Sequence, residues 1–233
     1  MEIETTTPNT EFEDYINYFN SLEPDWIINT RKLLENLLES NNIEAVKFLS
    51  DNIETLNKMF PDLRFYKEDI IALTSEFIGY NNRIDLLKMG LEINKICLIV
   101  GAINGDQYNM FLYLFDEKGD MSSPENIAIF IDMATSSGNM YVLKFFMNFY
   151  TDEFIKNIDN ILTIAIIDNR TEVIDLLIER GLITTETLIN MYQTARFKNS
   201  INLKNYLEGI TLLGRKRKRE VDIEREAKRL RII

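Results

Sequence analysis

The sequence predicts an all-α fold, a solenoid of stacked helix pairs, and three observations carry that expectation. Residues 161–181 read as two short apolar helices, 161–167 and 172–179, joined by a polar turn and closed by Gly181, a residue suited to a left-handed cap. The same arrangement recurs along the chain around a Gly or Asn turn anchor, with a small residue four positions before it and apolar residues four to eight positions after it. The anchors Gly105, Gly138, Asn169 and Asn199 are 33, 31 and 30 residues apart, and Asn41 lies 64 residues before Gly105, close to two such periods. Helices this short bury their apolar faces only against neighbours, so a period near 33 implies stacking.

Taken in order, residues 1–24 form a head and a capping helix. Met1 to Thr10 are acidic and threonine-rich, and Phe12, Tyr15, Ile16 and Phe19 then follow at helical spacing, as a helix shielding the first repeat would require. Residues 25–213 form the repeat domain, of about five or six repeats. The helix after Pro24 carries Leu33, Leu34, Leu37 and Leu38, and Asn41 is followed by Ala45, Val46, Phe48 and Leu49. A further copy is expected within residues 71–90, anchored at Gly79 and off register, with Arg83 breaking its pattern and either a longer connection after Asn52 or a degenerate repeat there. Gly105 has Gly101 before it and Met110, Leu112 and Tyr113 after it; Gly138 has Ala134 before it and Val142, Leu143, Phe145 and Phe146 after it. Asn169 has Ala165, then Val173, Ile174, Leu176 and Leu177; Asn199 has Ala195, then Leu203, Tyr206 and Leu207. Lys204 gives that last copy the more polar face a terminal repeat needs.

These segments carry a resemblance. Residues 42–49, 138–145 and 171–177, in which a turn residue precedes runs such as Val46-Lys47-Phe48-Leu49, make the chain similar to ankyrin-repeat proteins, above all the divergent ones of large DNA viruses. The similarity spans residues 25–209 and implies an ankyrin-like solenoid that binds a host or viral protein. No repeat carries the family's Thr-Pro-Leu-His-type opening, which implies looser hairpins with helix stacking retained. A tetratricopeptide array is the competing helical-pair architecture; its Trp, Leu, Gly and Tyr pattern is absent, and the short first helices fit ankyrin better. An irregular helical domain stays open beside both.

Composition narrows the function classes. The formal charge of −11 argues against a nucleic-acid-binding body. A single cysteine points to a reducing compartment, and Cys97, inside an apolar stretch, reads as a packing residue. With no histidine there is no Ser-His-Asp or Cys-His arrangement, no histidine general base and no histidine metal ligand, so neither an enzyme, a cofactor nor a metal is expected. The front of the chain is unlike a signal peptide, and the longest apolar run, residues 96–103, is too short to span a bilayer. An intracellular protein with no membrane partner is expected.

Residues 214–233 form a basic tail. They hold nine basic and four acidic residues, a net of +5, against −16 for everything before them. Arg215, Lys216, Arg217, Lys218 and Arg219, with Lys228, Arg229 and Arg231, resemble a nuclear localisation signal and make importin a candidate partner. Contact with nucleic acid and packing or solubilising roles are the alternatives.

The leading function is therefore a protein-protein interaction scaffold with an unidentified protein partner; the other is a nucleic-acid-associated protein whose tail contacts phosphate. Binding in repeat proteins concentrates in the less repetitive connections. Here those lie at Tyr66, Leu91, residues 122–125, and Tyr150 with Asp152 and Glu153.

Overall fold

Helices account for every regular element among the residues that the computed structural model describes, namely 14, 15, 17, 30–59, 66–115, 120–193 and 201–210. The chain divides into two units, Met1–Asn126 and Ile127–Ile233. The first contains α1 (Thr30–Glu39), α2 (Ile43–Asp51), α3 (Ile53–Met59), α4 (Lys67–Tyr80), α5 (Ile84–Leu87), α6 (Lys95–Asn104) and α7 (Tyr108–Leu114). A 3-10 turn at Asp120–Ser122 precedes α8 (Pro124–Ser137), most of which belongs to the second unit. There it is followed by α9 (Met140–Phe149), α10 (Thr151–Lys156), α11 (Ile158–Ile167), α12 (Thr171–Glu179) and α13 (Thr185–Gln193). Residues 201–210 are also helical.

Five helix pairs close with the same turn. Asn41, Asn82, Asp106, Gly138 and Asn169 all have φ between 54° and 77°, the left-handed region that Gly, Asn and Asp tolerate best. In each pair the next residue donates its backbone N–H five residues back: Asn42 to Leu37, Arg83 to Ile78, Gln107 to Ala102, Asn139 to Ala134 and Arg170 to Ala165, all at 2.7–2.9 Å. That bond closes a Schellman motif and satisfies a helix-terminal carbonyl. Gly181, at φ 68°, ends α12 the same way, with Leu182 donating to Leu177. Asparagines start several helices: the side chains of Asn42, Asn94 and Asn139 accept from the N–H of Ala45, Cys97 and Val142.

Two anchors move. Gly105 has φ −85° and Gly79 lies within α4, so the turns fall at Asp106 and Asn82 instead. The physical reason is that both glycines serve helix packing. A Cβ on Gly79 would stand 2.1 Å from the Leu98 carbonyl oxygen, one on Gly101 2.2 Å from that of Glu76, and one on Gly105 2.2 Å from that of Tyr80. Helices α4 and α6 thus run parallel with their backbones in contact, and the Ser75 hydroxyl accepts from Asn94 N–H at 2.9 Å along the same seam. With the turn at Asp106, the buried face of α7 becomes Met110, Phe111 and Leu114, whereas Leu112 and Tyr113, expected inside, are 41% and 73% exposed.

The other faces lie where the periodicity puts them. Val142, Leu143, Phe145 and Phe146 are buried on α9, and Val173, Ile174, Leu176 and Leu177 on α12, with Ala134 and Ala165 fully enclosed. The long connection after Asn52 contains α3, whose Leu56 is buried, and α5 is cut to four residues. Tyr15 is helical and stacks on Phe48 at 4.8 Å, while Phe12, Ile16 and Phe19 of the expected capping helix lie outside the described residues. Ala195 and Asn199 lie outside them too; Leu203 is buried, and Tyr206 donates its hydroxyl to Asp175 at 2.6 Å.

A polar strut ties successive hairpins within each unit. Arg83, which interrupts the apolar pattern, pairs with Asp85 and donates to the Asn41 side chain in the preceding turn. Arg170, in the same position of its own pair, donates to the Ser136 carbonyl at 2.6 Å, and Asn202 donates to the carbonyls of Ile166 and Ile167. Asn160 clasps Asp132 through both carboxylate oxygens at 2.8 Å. Burial pushes the Asp132 carboxyl up, partly offset by that hydrogen bond.

Candidate protein-binding surfaces

Tyr66 and Leu91 come together on the first unit. Leu91 lines a cleft of about 170 Å³ between α2 and α4, and Tyr66, 52% exposed, lines an adjoining one of about 610 Å³; both clefts share Ser50 and Asp51. Lys67 and Glu92, the neighbours in sequence of these two residues, form an ion pair at 2.7 Å that joins the connections. Carboxylate contact raises the Lys67 pKa, chiefly through the hydrogen bond from its ammonium to Glu92. In the smaller cleft the Thr74 hydroxyl is buried with no hydrogen-bond partner among the described residues. The wall of this cleft is mixed, with Lys47, Ser50, Asp51 and Glu92 beside Val46, Ile70, Ile71 and Leu91.

On the second unit, Asp152 and Glu153 occupy the first turn of α10, where negative charge complements the helix dipole. Asp152 is exposed and Glu153 half-buried. Tyr150 belongs to an aromatic cluster, with ring centroids 6.1 Å from Phe145 and 5.8 Å from Phe146. Its exposed continuation went unpredicted: Tyr141, Phe145 and Phe149 follow at intervals of four along α9, and the outer two are 65% and 67% exposed. The interval of four was visible in the sequence, but an apolar helical stripe there reads as core. Residues 122–125 form the end of the 3-10 turn and the start of α8, where the Ser123 hydroxyl accepts from Asn126 N–H.

A third surface was also not predicted. Helices α1 and α4 lie side by side and frame a cleft of about 410 Å³ with Glu35, Glu39, Glu76, Phe77 and Tyr80 around it. Arg31 bridges two of these carboxylates, 2.9 Å from Glu35 and 3.4 Å from Glu76. Glu35 and Glu39, one turn apart, look in the sequence like an ordinary solvated face; only the neighbouring helix turns them into a wall.

The thiol of Cys97 is half-buried, and burial followed by the charge of Glu76 pushes its pKa up, which keeps it protonated and a poor nucleophile. Among the described residues no group of three or more Cys, Asp or Glu side chains converges as a metal site, and no helix is long and apolar enough to cross a membrane. The basic cluster Arg215 to Arg219, with Lys228, Arg229 and Arg231, lies outside the described residues. Comparison with protein-family models, with curated proteins and with solved structures finds no match, so no family is assigned by similarity.

Proposed function

We propose that the chain is a protein-interaction scaffold whose helix pairs stack in an ankyrin-like solenoid. The observation that supports this reading is the hairpin repeated five times with one closure, each with a left-handed turn residue and the same backbone bond. Repetition of one hairpin presents first helices and connections again and again along the chain, a geometry that serves binding more readily than catalysis. The resemblance to ankyrin-like proteins of large DNA viruses makes a host or viral protein the partner. The test is capture of a specific partner by the immobilised full chain. Tyr66→Ala combined with Leu91→Asp is expected to weaken that capture about tenfold, as loss of a central anchor does. Undiminished capture by this variant removes the first-unit connections from the binding surface.

The segregated tail favours a second activity of the same molecule. Residues 215–219 are proposed to engage an importin and direct the protein to the nucleus, with phosphate contact as the rival role. Residues 214–233 fused to an inert fluorescent protein are expected to concentrate it in the nucleus, and Arg217→Ala with Lys218→Ala to abolish this. Salt-sensitive binding of the full chain to duplex DNA that requires the tail would assign it to nucleic acid instead. A cytoplasmic fusion with no DNA binding ends both readings.

A further inference from the structure

We propose that the cleft between α2 and α4 takes the carboxamide of a glutamine side chain carried on an extended segment of a partner protein. This rests on the scaffold reading and names the partner's chemistry at its first-unit surface.

The observation that points to a ligand is the Thr74 hydroxyl. Thr74 lines the cleft and is 2% exposed, and its Oγ1 has no hydrogen-bond partner among the described residues. The other buried hydroxyls described there are satisfied: those of Ser75, Thr135 and Thr163 donate to the carbonyls four residues back, Ile71, Ile131 and Asp159, at 2.6–2.8 Å. An orphaned hydroxyl gains from any partner that reaches it, and threonine holds two χ1 rotamers in a helix, so it can turn to meet one while the helix stays in place. The entering group is neutral. Lys47 is held by Glu44 at 3.5 Å and Lys67 by Glu92 at 2.7 Å, so a carboxylate would meet Asp51 without a free cation beside it. An ammonium or guanidinium brought to Thr74 would lose its hydration against the buried Val46 and Ile70, and one hydroxyl does not replace that loss. Size then selects among neutral groups. A volume of about 170 Å³ holds about five waters at roughly 30 Å³ each, which matches the non-hydrogen atoms of a glutamine side chain. A carboxamide also accepts and donates at once: its oxygen takes the Thr74 O–H while its NH2 group serves Ser50 or Asp51 in the same cleft.

The rim favours a peptide over a free small molecule. Residues 91–94 lie outside any helix, and the backbone N–H and C=O groups of Gly90, Leu91 and Glu92 form no hydrogen bond among the described residues, which leaves them open to a peptide backbone laid alongside. The chain's own basic tail does not supply the group, because residues 214–233 contain no Asn or Gln. In residues 1–13 the carboxamide is that of Asn9, which the test therefore removes.

The probe is the peptide acetyl-Val-Ala-Gln-Ala-Val-amide, titrated into the isotope-labelled full chain and followed by amide chemical shifts, beside counterparts with Met, Glu or Lys in place of Gln. The Gln peptide is expected to shift Thr74, Gly90 and Leu91 and to bind about fivefold tighter than each counterpart, the worth of one hydrogen bond to an otherwise orphaned group. Thr74→Val removes the hydroxyl and keeps the shape. It is expected to erase the preference, so that the Gln and Met peptides bind alike, and to melt no lower than the unmutated chain; a merely structural Thr74 would not separate the two peptides. Thr74→Ser, which keeps a hydroxyl, is expected to retain the preference, and Asn9→Ala to leave the affinity for the Gln peptide unchanged. The proposal is overturned by a Met, Glu or Lys peptide that binds the unmutated chain as well as the Gln peptide does, by a preference for Gln that survives Thr74→Val, or by shifts that avoid Thr74 and Leu91. A Gln peptide that binds only once Asn9 is replaced overturns it too, by making the chain's own head the occupant. If the peptide fails while a partner is still captured through Tyr66 and Leu91, the carboxamide falls and the scaffold stands. If both fail, the reading beneath it falls as well.

Discussion

Replacing Gly101 by valine is expected to lower the stability of the first unit by about 3 kcal/mol, at the upper end of what overpacking costs. The magnitude follows from what the new Cβ would strike. It would lie 2.2 Å from the Glu76 carbonyl oxygen and 2.9 Å from its carbon, both backbone atoms of α4 that cannot rotate aside. The helices must separate, and the burial of Ile78, Leu98, Ile99 and Ala102 weakens with them. Valine is a better helix former than glycine, but that gain is well under about 1 kcal/mol and does not offset the clash. Gly90→Ala is the control. No atom lies within 4 Å of its Cβ, so only the strain of φ +74° remains, at roughly 1 kcal/mol. Urea denaturation of both full-length variants measures the difference. An unchanged midpoint for the Gly101 variant would show that α4 and α6 are not in backbone contact.

Phe146→Ala is expected to cost the second unit about 3–5 kcal/mol, the usual range for emptying a buried aromatic site. Phe146 is fully enclosed, with ring centroids of Phe145 at 5.4 Å, Tyr150 at 5.8 Å and Phe130 at 6.5 Å. These rings belong to α8, α9 and the connection to α10, so one truncation removes contacts from each, and stiff neighbouring rings leave a cavity rather than collapse into it. Phe149, three residues on and 67% exposed, serves as the comparison, with a change within about 0.5 kcal/mol. A calorimetric scan in which both variants melt alike would mean that the cluster does not hold this unit together. If Phe149→Ala leaves stability intact but weakens partner capture, the exposed stripe of α9 belongs to the binding surface.

Much of the helical pattern was legible because it is local. Val173, Ile174, Leu176 and Leu177 recur on one face of a helix, and that periodicity alone puts them inside. Gly138 and Gly181 mark turns for an equally local reason, since a left-handed residue closes a helix whatever packs around it. Gly79 and Gly105 misled because glycine answers two needs. One is a positive φ, which a single chain segment reveals; the other is room for a second backbone, which depends on a helix some 20 residues away. The one-residue shift from Gly105 to Asp106 then turned Leu112 outward and brought Phe111 and Leu114 in, since a helix face rotates by roughly 100° per residue; the shift does not account for Tyr113, which falls seven residues after the new anchor and is exposed all the same.

The candidate surfaces divide along the same line. The sequence by itself determined that the described elements are helices, the turns at Asn41, Gly138 and Asn169, the apolar faces of α9 and α12 and the segregated charge of residues 214–233, because spacing and composition are properties of the chain. Tertiary structure alone decided that Arg83 and Arg170 reach back to the preceding hairpin, that Tyr66 and Leu91 line adjoining clefts, and that Glu35 and Glu39 share a cleft with Glu76. Each of these pairings spans more than 20 residues, and helical periodicity says which face a side chain occupies but not what stands opposite it.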